Sequence, residues 1–188
     1  MPPLYLALVH HPVLNRRGEE IASAVTNLDL HDFARLSCTY SIAACFIATP
    51  LEDQRALVEV LISHWSNGIA KELHADREQA LRRLRLVDGV RAAMAEIETE
   101  CGREPLVWAT SARKPREMLP VRAAREGMLS DSVTPRLILF GTGWGLAPSV
   151  FDCVDAVLEP IEGSCGYNHL SVRCAAAILV DRLLHMDR

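Results

Sequence analysis

Short apolar runs alternating with segments of helical period constrain this chain more than any other feature. The runs Leu4–Val9, Ala44–Thr49, Leu84–Val87, Leu106–Thr110, Arg136–Phe140 and Ala156–Pro160 are mostly rich in Val, Ile or Leu, and several run straight into Pro, Gly, Ser or Asp. Continuous apolarity of this kind suits strands buried on both faces. Between the runs, Asp29–Tyr40 sets Leu30, Phe33, Ala34 and Ser37 along one stripe. Leu51–Trp65 repeats Leu57, Val58, Leu61, Ile62 and Trp65 at spacings of three and four. Asp88 stands where it would cap a helix from Val90 to about Thr99. Pro115–Glu126 opens on a proline and meets Gly127 as a stop, which predicts a further helix. No repeat or linker interrupts the alternation, so the expectation is one domain over residues 1–188, an α/β fold with a parallel sheet covered on both faces. Ligands of such sheets bind beyond the carboxyl ends of the strands, and the loops there are the ones to read for chemistry.

Composition excludes several classes. A chain of 188 residues that is 49% hydrophobic and 23% charged is too apolar for a disordered protein. The longest apolar run, Cys174 to Val180, is far too short to span a membrane. Leu4–Val9 has no basic residue before it and no small-residue cleavage site after it, which fits a first strand rather than a signal peptide. The six cysteines contain no CxxC pair and read as reduced, buried residues of a cytoplasmic protein. No HExxH or Cys/His spacing occurs, so no metal site is expected. A net charge of −4 argues against a protein that coats nucleic acid or anionic membrane through a broad positive field.

Arg136–Phe140 runs into Gly141-Thr142-Gly143-Trp144-Gly145-Leu146-Ala147-Pro148. A phosphate loop would need GxxxxGK[ST], yet no lysine or arginine lies between Arg136 and Arg173. A dinucleotide fingerprint would be GxGxxG after the first strand, not GxGxG after a late one. On its own the loop reads as a tight turn without a ligand. One strand later, however, Leu158-Glu159-Pro160-Ile161-Glu162-Gly163 leads into Tyr167, Asn168 and His169 and then a helix containing Ala175-Ala176-Ala177. Two adjacent strand-end loops with glycines, one carrying Tyr, Asn and His, make a concave pocket.

These residues resemble the SPOUT methyltransferases. The GxGxGL loop, the Pro-Ile-x-Gly strand end and the Leu170-Ser171-Val172 helix match motifs two and three of that superfamily. Asp29-Leu30-His31-Asp32-Phe33-Ala34-Arg35 is similar to its motif one, Asn-x-Gly-x-x-x-Arg. The runs TNLDxHDxAR, the His64-Trp65 pair, FGTGWGL and YNHLSVR are similar to a bacterial group of stand-alone S-adenosylmethionine-dependent RNA methyltransferase domains. The resemblance covers nearly the whole chain. It implies a deep trefoil knot at the C-terminal end, S-adenosylmethionine as cofactor, tRNA or rRNA as substrate, and a homodimer.

Carried over residue by residue, it implies a cofactor site of Phe140, Gly141, Thr142, Gly143, Gly145 and Leu146 on one wall. Leu158, Ile161, Tyr167, Asn168 and Leu170 form the other, and Thr110 and Ser111 reach the ribose or methionine end. Trp144 divides evenly between a core or dimer contact and a ligand contact. Arg35 corresponds to the motif-one arginine near the RNA phosphate or target hydroxyl, unless it is a surface residue paired with Asp29 or Asp32. Asp29 and His31 replace Asn and Gly, and stand either as proton acceptors or as a cap and a polar neighbour. Ser171 and Arg173 replace the Asn and Ser of ribose methyltransferases, which tilts the expectation toward base methylation. Arg113, Lys114, Arg116, Arg122 and Arg125 face only Glu117, a local +4 that marks the best RNA-phosphate candidate. The 71–91 segment, with six basic and four acidic residues, reads as a solvated helix face. Two alternatives remain: a non-catalytic dimer that binds S-adenosylmethionine or RNA, and, more weakly, a nicotinamide-dependent enzyme.

Overall fold

A computed structural model describes residues 1–66, 75–112, 117–165 and 167–185. In chain order the strands are β1 (Leu4–Val9), β2 (Val13–Leu14), β3 (Glu20–Ile21), β4 (Ala44–Ala48), β5 (Leu84–Val87), β6 (Leu106–Ala109), β7 (Arg136–Gly141) and β8 (Ala156–Val157). The helices are α1 (Asn27–Thr39), α2 (Glu52–Ser66), α3 (Ala75–Leu81), α4 (Val90–Cys101), α5 (Val121–Ser130) and α6 (Val172–Leu184), with a 3-10 helix over Pro148–Cys153.

All six apolar runs are strands of one parallel sheet in the order β5-β4-β1-β7-β6-β8. Central β1 pairs Tyr5 with Ala44 on one side and with Leu137 on the other, and all six of its residues are buried. The period of two divides it between two cores. Leu4, Leu6 and Leu8 meet residues of α1, α3, α5 and α6. Tyr5, Ala7 and Val9 face Val90, Ala93 and Ile97 of α4 and Val150 of the 3-10 helix. Each fully buried leucine contributes about 1.5–3 kcal/mol. From β1 the chain first builds outward through β4 and β5, then crosses to the other half. The strand order therefore reverses beside β1 and β7, and their carboxyl ends bound the crevice where a ligand fits.

The helix expected over Pro115–Glu126 instead runs from Val121 to Ser130, with Pro120 as its N-cap residue and Gly127 inside it rather than after it. Tertiary pairing moves the start. Leu119 N–H donates to Val157 O at 2.7 Å and Glu159 N–H to Leu119 O at 3.0 Å, so the residues before Pro120 are extended along β8. The last strand, expected to reach Pro160, spans Ala156–Val157, with Leu158 bridged to Leu119 just beyond it. Asp88 does not cap α4, whose N-cap is Gly89 without a side-chain bond; it pairs with Arg55 instead. The 71–91 segment is more than a solvated face, since Glu78, Ala80 and Leu81 of α3 are buried and β5 follows. All six cysteines are free, but only Cys45 is buried, and Cys165 and Cys174 are exposed. No helix among the described residues is long and apolar enough to cross a membrane.

Candidate active site

The loops that leave β1, β6, β7 and β8 surround one cleft of about 1280 Å³ at the carboxyl edge of the sheet. Its floor is the glycine loop. Three backbone bonds clamp that loop to the segment before β3: Leu14 N–H to Gly145 O (2.8 Å), Trp144 N–H to Leu14 O (2.9 Å) and Ala147 N–H to Pro12 O (3.2 Å). Strands of two residues carry no periodic signal, so the β2–β3 hairpin that holds the loop is absent from the sequence reading. Glycine is required at two points. A Cβ on Gly141 would sit 2.6 Å from Leu146 N, and Gly143, at φ +57°, would bring one within 2.9 Å of Leu14 O.

Thr110, Ser111, Phe140, Gly141, Thr142, Gly143, Gly145, Leu146, Ile161, Asn168 and Leu170 all line the cleft. The two expected residues that do not are Leu158, buried in the core beneath it, and Tyr167, which is 71% exposed with its ring against His169. Several lining side chains serve the architecture. Thr142 Oγ1 donates to Val9 O (3.0 Å) and contacts Ser23 Oγ, and Thr110 Oγ1 donates to Leu139 O (2.9 Å). Asn168 donates to Ala112 O at 3.1 Å, tying the β8 loop to the β6 loop. Trp144 is no core residue: it lines the cleft and is half exposed.

The three candidates for proton transfer do not share one site. Asp29 lines the cleft and is buried in the first turn of α1. Thr26 caps that helix: its Oγ1 accepts from Asp29 N–H (3.2 Å) and donates to Asp29 Oδ2 (2.6 Å). Arg173, from the first turn of α6, reaches Asp29 Oδ1 and Asp32 Oδ2, each at 3.2 Å. His31 lies about 200° further round the helix and packs against Trp65, away from the cleft. Arg35 is exposed, lines no part of the cleft and makes no ion pair among the described residues. Its expected carboxylates are taken by Arg173.

Arg113, Lys114 and Arg116 lie outside the described residues. Arg122 projects from α5 into solvent beside Glu126, 2.9 Å away, and Arg125 is partly buried on the same helix. The sequence reading missed Glu159, which lines the cleft and accepts from Val121 N–H at 2.9 Å, placing a carboxylate at the positive end of α5. Its place between Leu158 and Ile161 was the available signal. His10 was missed as a partner too. It follows β1, is fully buried, and its Nδ1 lies 3.0 Å from Ser23 Oγ, which in turn contacts Thr142.

Among the described residues the ionisable side chains lining the cleft are Asp29, Glu159 and His169, with no lysine or arginine. Such a surface offers nothing to a triphosphate. Close-packed backbone groups and two carboxylates do suit a ligand that carries an adenine, a ribose and a positive sulfonium. No group of three or more His, Cys, Asp or Glu is placed to hold a metal among the described residues.

Comparison with known proteins agrees. A probable methylase from Haemophilus influenzae Rd KW20 superposes at TM-score 0.62 with 18% identity, over 97% of this chain and 65% of that one. The SpoU methyltransferase AviRb from Streptomyces viridochromogenes, solved with AdoMet, gives 0.58 at 13% identity, over 97% and 59%. These likenesses establish the SPOUT-type α/β fold. A tRNA (guanine-N(1)-)-methyltransferase from Nitratidesulfovibrio vulgaris is 47% identical over 96% of this chain but only 42% of its own length, so the chain spans about two fifths of that relative. An uncharacterised protein of Aquifex aeolicus is 34% identical over 98% of this chain and 90% of its own. A family model described as SAM-dependent RNA methyltransferase matches residues 3–185. The chain belongs to this family of S-adenosylmethionine-dependent RNA methyltransferases.

Proposed function

We propose that the chain methylates a nucleobase of tRNA, with Asp29 accepting the proton that the ring nitrogen loses. The observation that carries this reading is the buried Asp29 carboxylate at the cleft, oriented by Thr26 and Arg173. A ring N–H becomes a nucleophile only as its proton leaves, and a carboxylate held in place is suited to take it. Asp29 keeps lone pairs beyond the two bonds it accepts. At the two positions where this chain departs from the ribose methyltransferases, the side chains are engaged in the fold. Ser171 Oγ caps α6 by accepting from Cys174 N–H at 3.2 Å, and Arg173 is engaged by Asp29 and Asp32. The relatives named tRNA (guanine-N(1)-)-methyltransferase support a base target, although this chain matches only part of them.

S-adenosylmethionine supplies an electrophilic methyl group when bound. The chain's part is to hold its adenosine along Gly141–Leu146 and Ile161, to keep lysine and arginine away from the sulfonium, and to align the target base beside Asp29. A trefoil knot in the segment leading to α6 and a homodimer belong to the same reading. The test pairs calorimetry with radiolabelled methyl incorporation into tRNA from a strain lacking the gene. Wild type binds S-adenosylmethionine and yields one methylated base. Asp29→Asn binds it within about threefold but loses incorporation about 100-fold or more, in line with removal of a general base. A methylated ribose as product, or full activity of D29N, would overturn the reading.

A further inference from the structure

The His64-Trp65 pair at the end of α2 plays no part in the cleft, yet charged and aromatic groups from three helices gather on it. Trp65 packs partly buried against the core. The His31 ring of α1 meets it edge-on at 5.6 Å and the exposed His64 ring at 5.0 Å. The Arg77 guanidinium of α3 lies over the indole, 4.2 Å from the ring centroid. Arg35 stands one turn beyond His31 on the same face of α1. Burial lowers the His31 pKa, and Arg77 and Arg35 lower it further against the opposing pull of Asp32, so these cations share one field.

Among the described residues Asp32 is the carboxylate that opposes them at His31. Asp32 is taken by Arg173, and the buried Glu78 by Arg82. Neither Arg77 nor Arg35 has a carboxylate partner among the described residues. Two arginines held together without ion-pair partners among the described residues suit an anion from outside. A guanidinium held over an indole still has N–H groups to offer the oxygens of a phosphate. The His31 and His64 rings beside it suit a polymer that alternates phosphates with flat bases, because bases stack on aromatic faces. Asp29 and Arg35 lie about 9 Å apart along the axis of α1 and about 120° apart round it, so a strand that touches both bends round the exposed side of the helix.

We propose that His31, His64 and Arg77, the last carried on the Trp65 ring, form with Arg35 a second RNA-contact surface, holding the substrate backbone beside the nucleotide that enters the cleft. This rests on the RNA-methylation reading of the cleft and gives His31 a binding task instead of a catalytic one.

The test measures anisotropy of end-labelled, unfractionated tRNA from a strain lacking the gene, across a salt series, with calorimetry of S-adenosylmethionine on the same proteins. Arg77→Gln weakens tRNA binding about tenfold and flattens the slope of log affinity against log salt by about 0.7, one phosphate contact on a single strand. His64→Gln, a change outside the core, weakens it about threefold and carries the test if R77Q does not fold. Affinity for S-adenosylmethionine stays unchanged in both. Wild-type tRNA affinity and salt slope in both variants overturn the proposal while leaving the cleft reading intact. So does a loss of self-association in either variant with tRNA binding unaltered, because the surface would then be a chain–chain contact. Wild-type protein that binds S-adenosylmethionine but no tRNA sinks both readings.

Discussion

His10 ends the central strand without exposure to solvent, and burial pushes its imidazole down to about 4 against the opposing charge of Asp29. The native state therefore holds His10 neutral while the unfolded chain protonates it near its ordinary pKa of about 6.5. With the folded pKa depressed, the unfolded state binds the extra proton between those values. The contribution is complete above about pH 6.5 and declines as pH falls toward 4. Urea unfolding at pH 7 and 4.5 is expected to show wild type losing about 2–3 kcal/mol more than His10→Asn, whose amide keeps a donor toward Ser23. Equal losses in the two proteins would remove His10 from the account. At this scale the sequence was legible only where a local pattern exists. Asp29 follows Thr26 at capping distance and falls in a recognisable motif. Ser23 joins His10, 13 positions before it, to Thr142, 119 positions after it, and nothing local marks their contact.

Strands buried on both faces show themselves as continuous apolar runs, which made β1, β4 and β7 legible; the partly exposed β5, β6 and β8 were legible from short apolar runs between helical segments. Helix ends were less so, because the signals for them compete. Pro115 and Pro120 both mark helix starts, and pairing of Leu119 with the β8 edge decides for the second. Two glycines test this assignment in opposite directions. Gly127 lies inside α5 with open space where a Cβ would go. Gly127→Ala should thus raise stability by about 0.5–1 kcal/mol, read as a higher melting temperature; destabilisation would mean the helix does not continue through it. Gly141→Ala has the opposite setting, since its Cβ would press into the Leu146 backbone and side chain at 2.6 and 2.9 Å. The loop must shift, and S-adenosylmethionine affinity should fall at least about tenfold with helical circular dichroism retained, a loss of 1.4 kcal/mol or so. Calorimetry that shows wild-type affinity for G141A would take the loop out of the cofactor site.

Over the whole molecule the net charge of −4 hides an uneven surface. The cleft itself is acidic, and the cations proposed to meet RNA stand outside it, on α1 and α3 and on α5. Apolar groups are equally uneven. Trp144, Phe151 and Leu170 line the cleft at 52%, 37% and 46% exposure, and Leu28, beside Asp29, is 63% exposed. Scattered exposed leucines need no explanation, but apolar side chains gathered near one opening suit an interface, and a second copy of the chain is the occupant expected here. A second copy of the chain covering them would also bring two sets of RNA-facing arginines to one substrate. The two contacts answer salt oppositely. Apolar association holds or tightens as salt rises, whereas each phosphate contact weakens. Sedimentation at 0.1 and 0.5 M salt is therefore expected to give about twice the 20.8 kDa chain mass at both, while tRNA is released at the higher. Leu28→Glu should shift the mass toward the monomer, and Val60→Glu, at an equally exposed position on α2, should not. A wild-type monomer at both salts, or identical behaviour of the two variants, would mean that the apolar opening meets RNA or solvent rather than another chain.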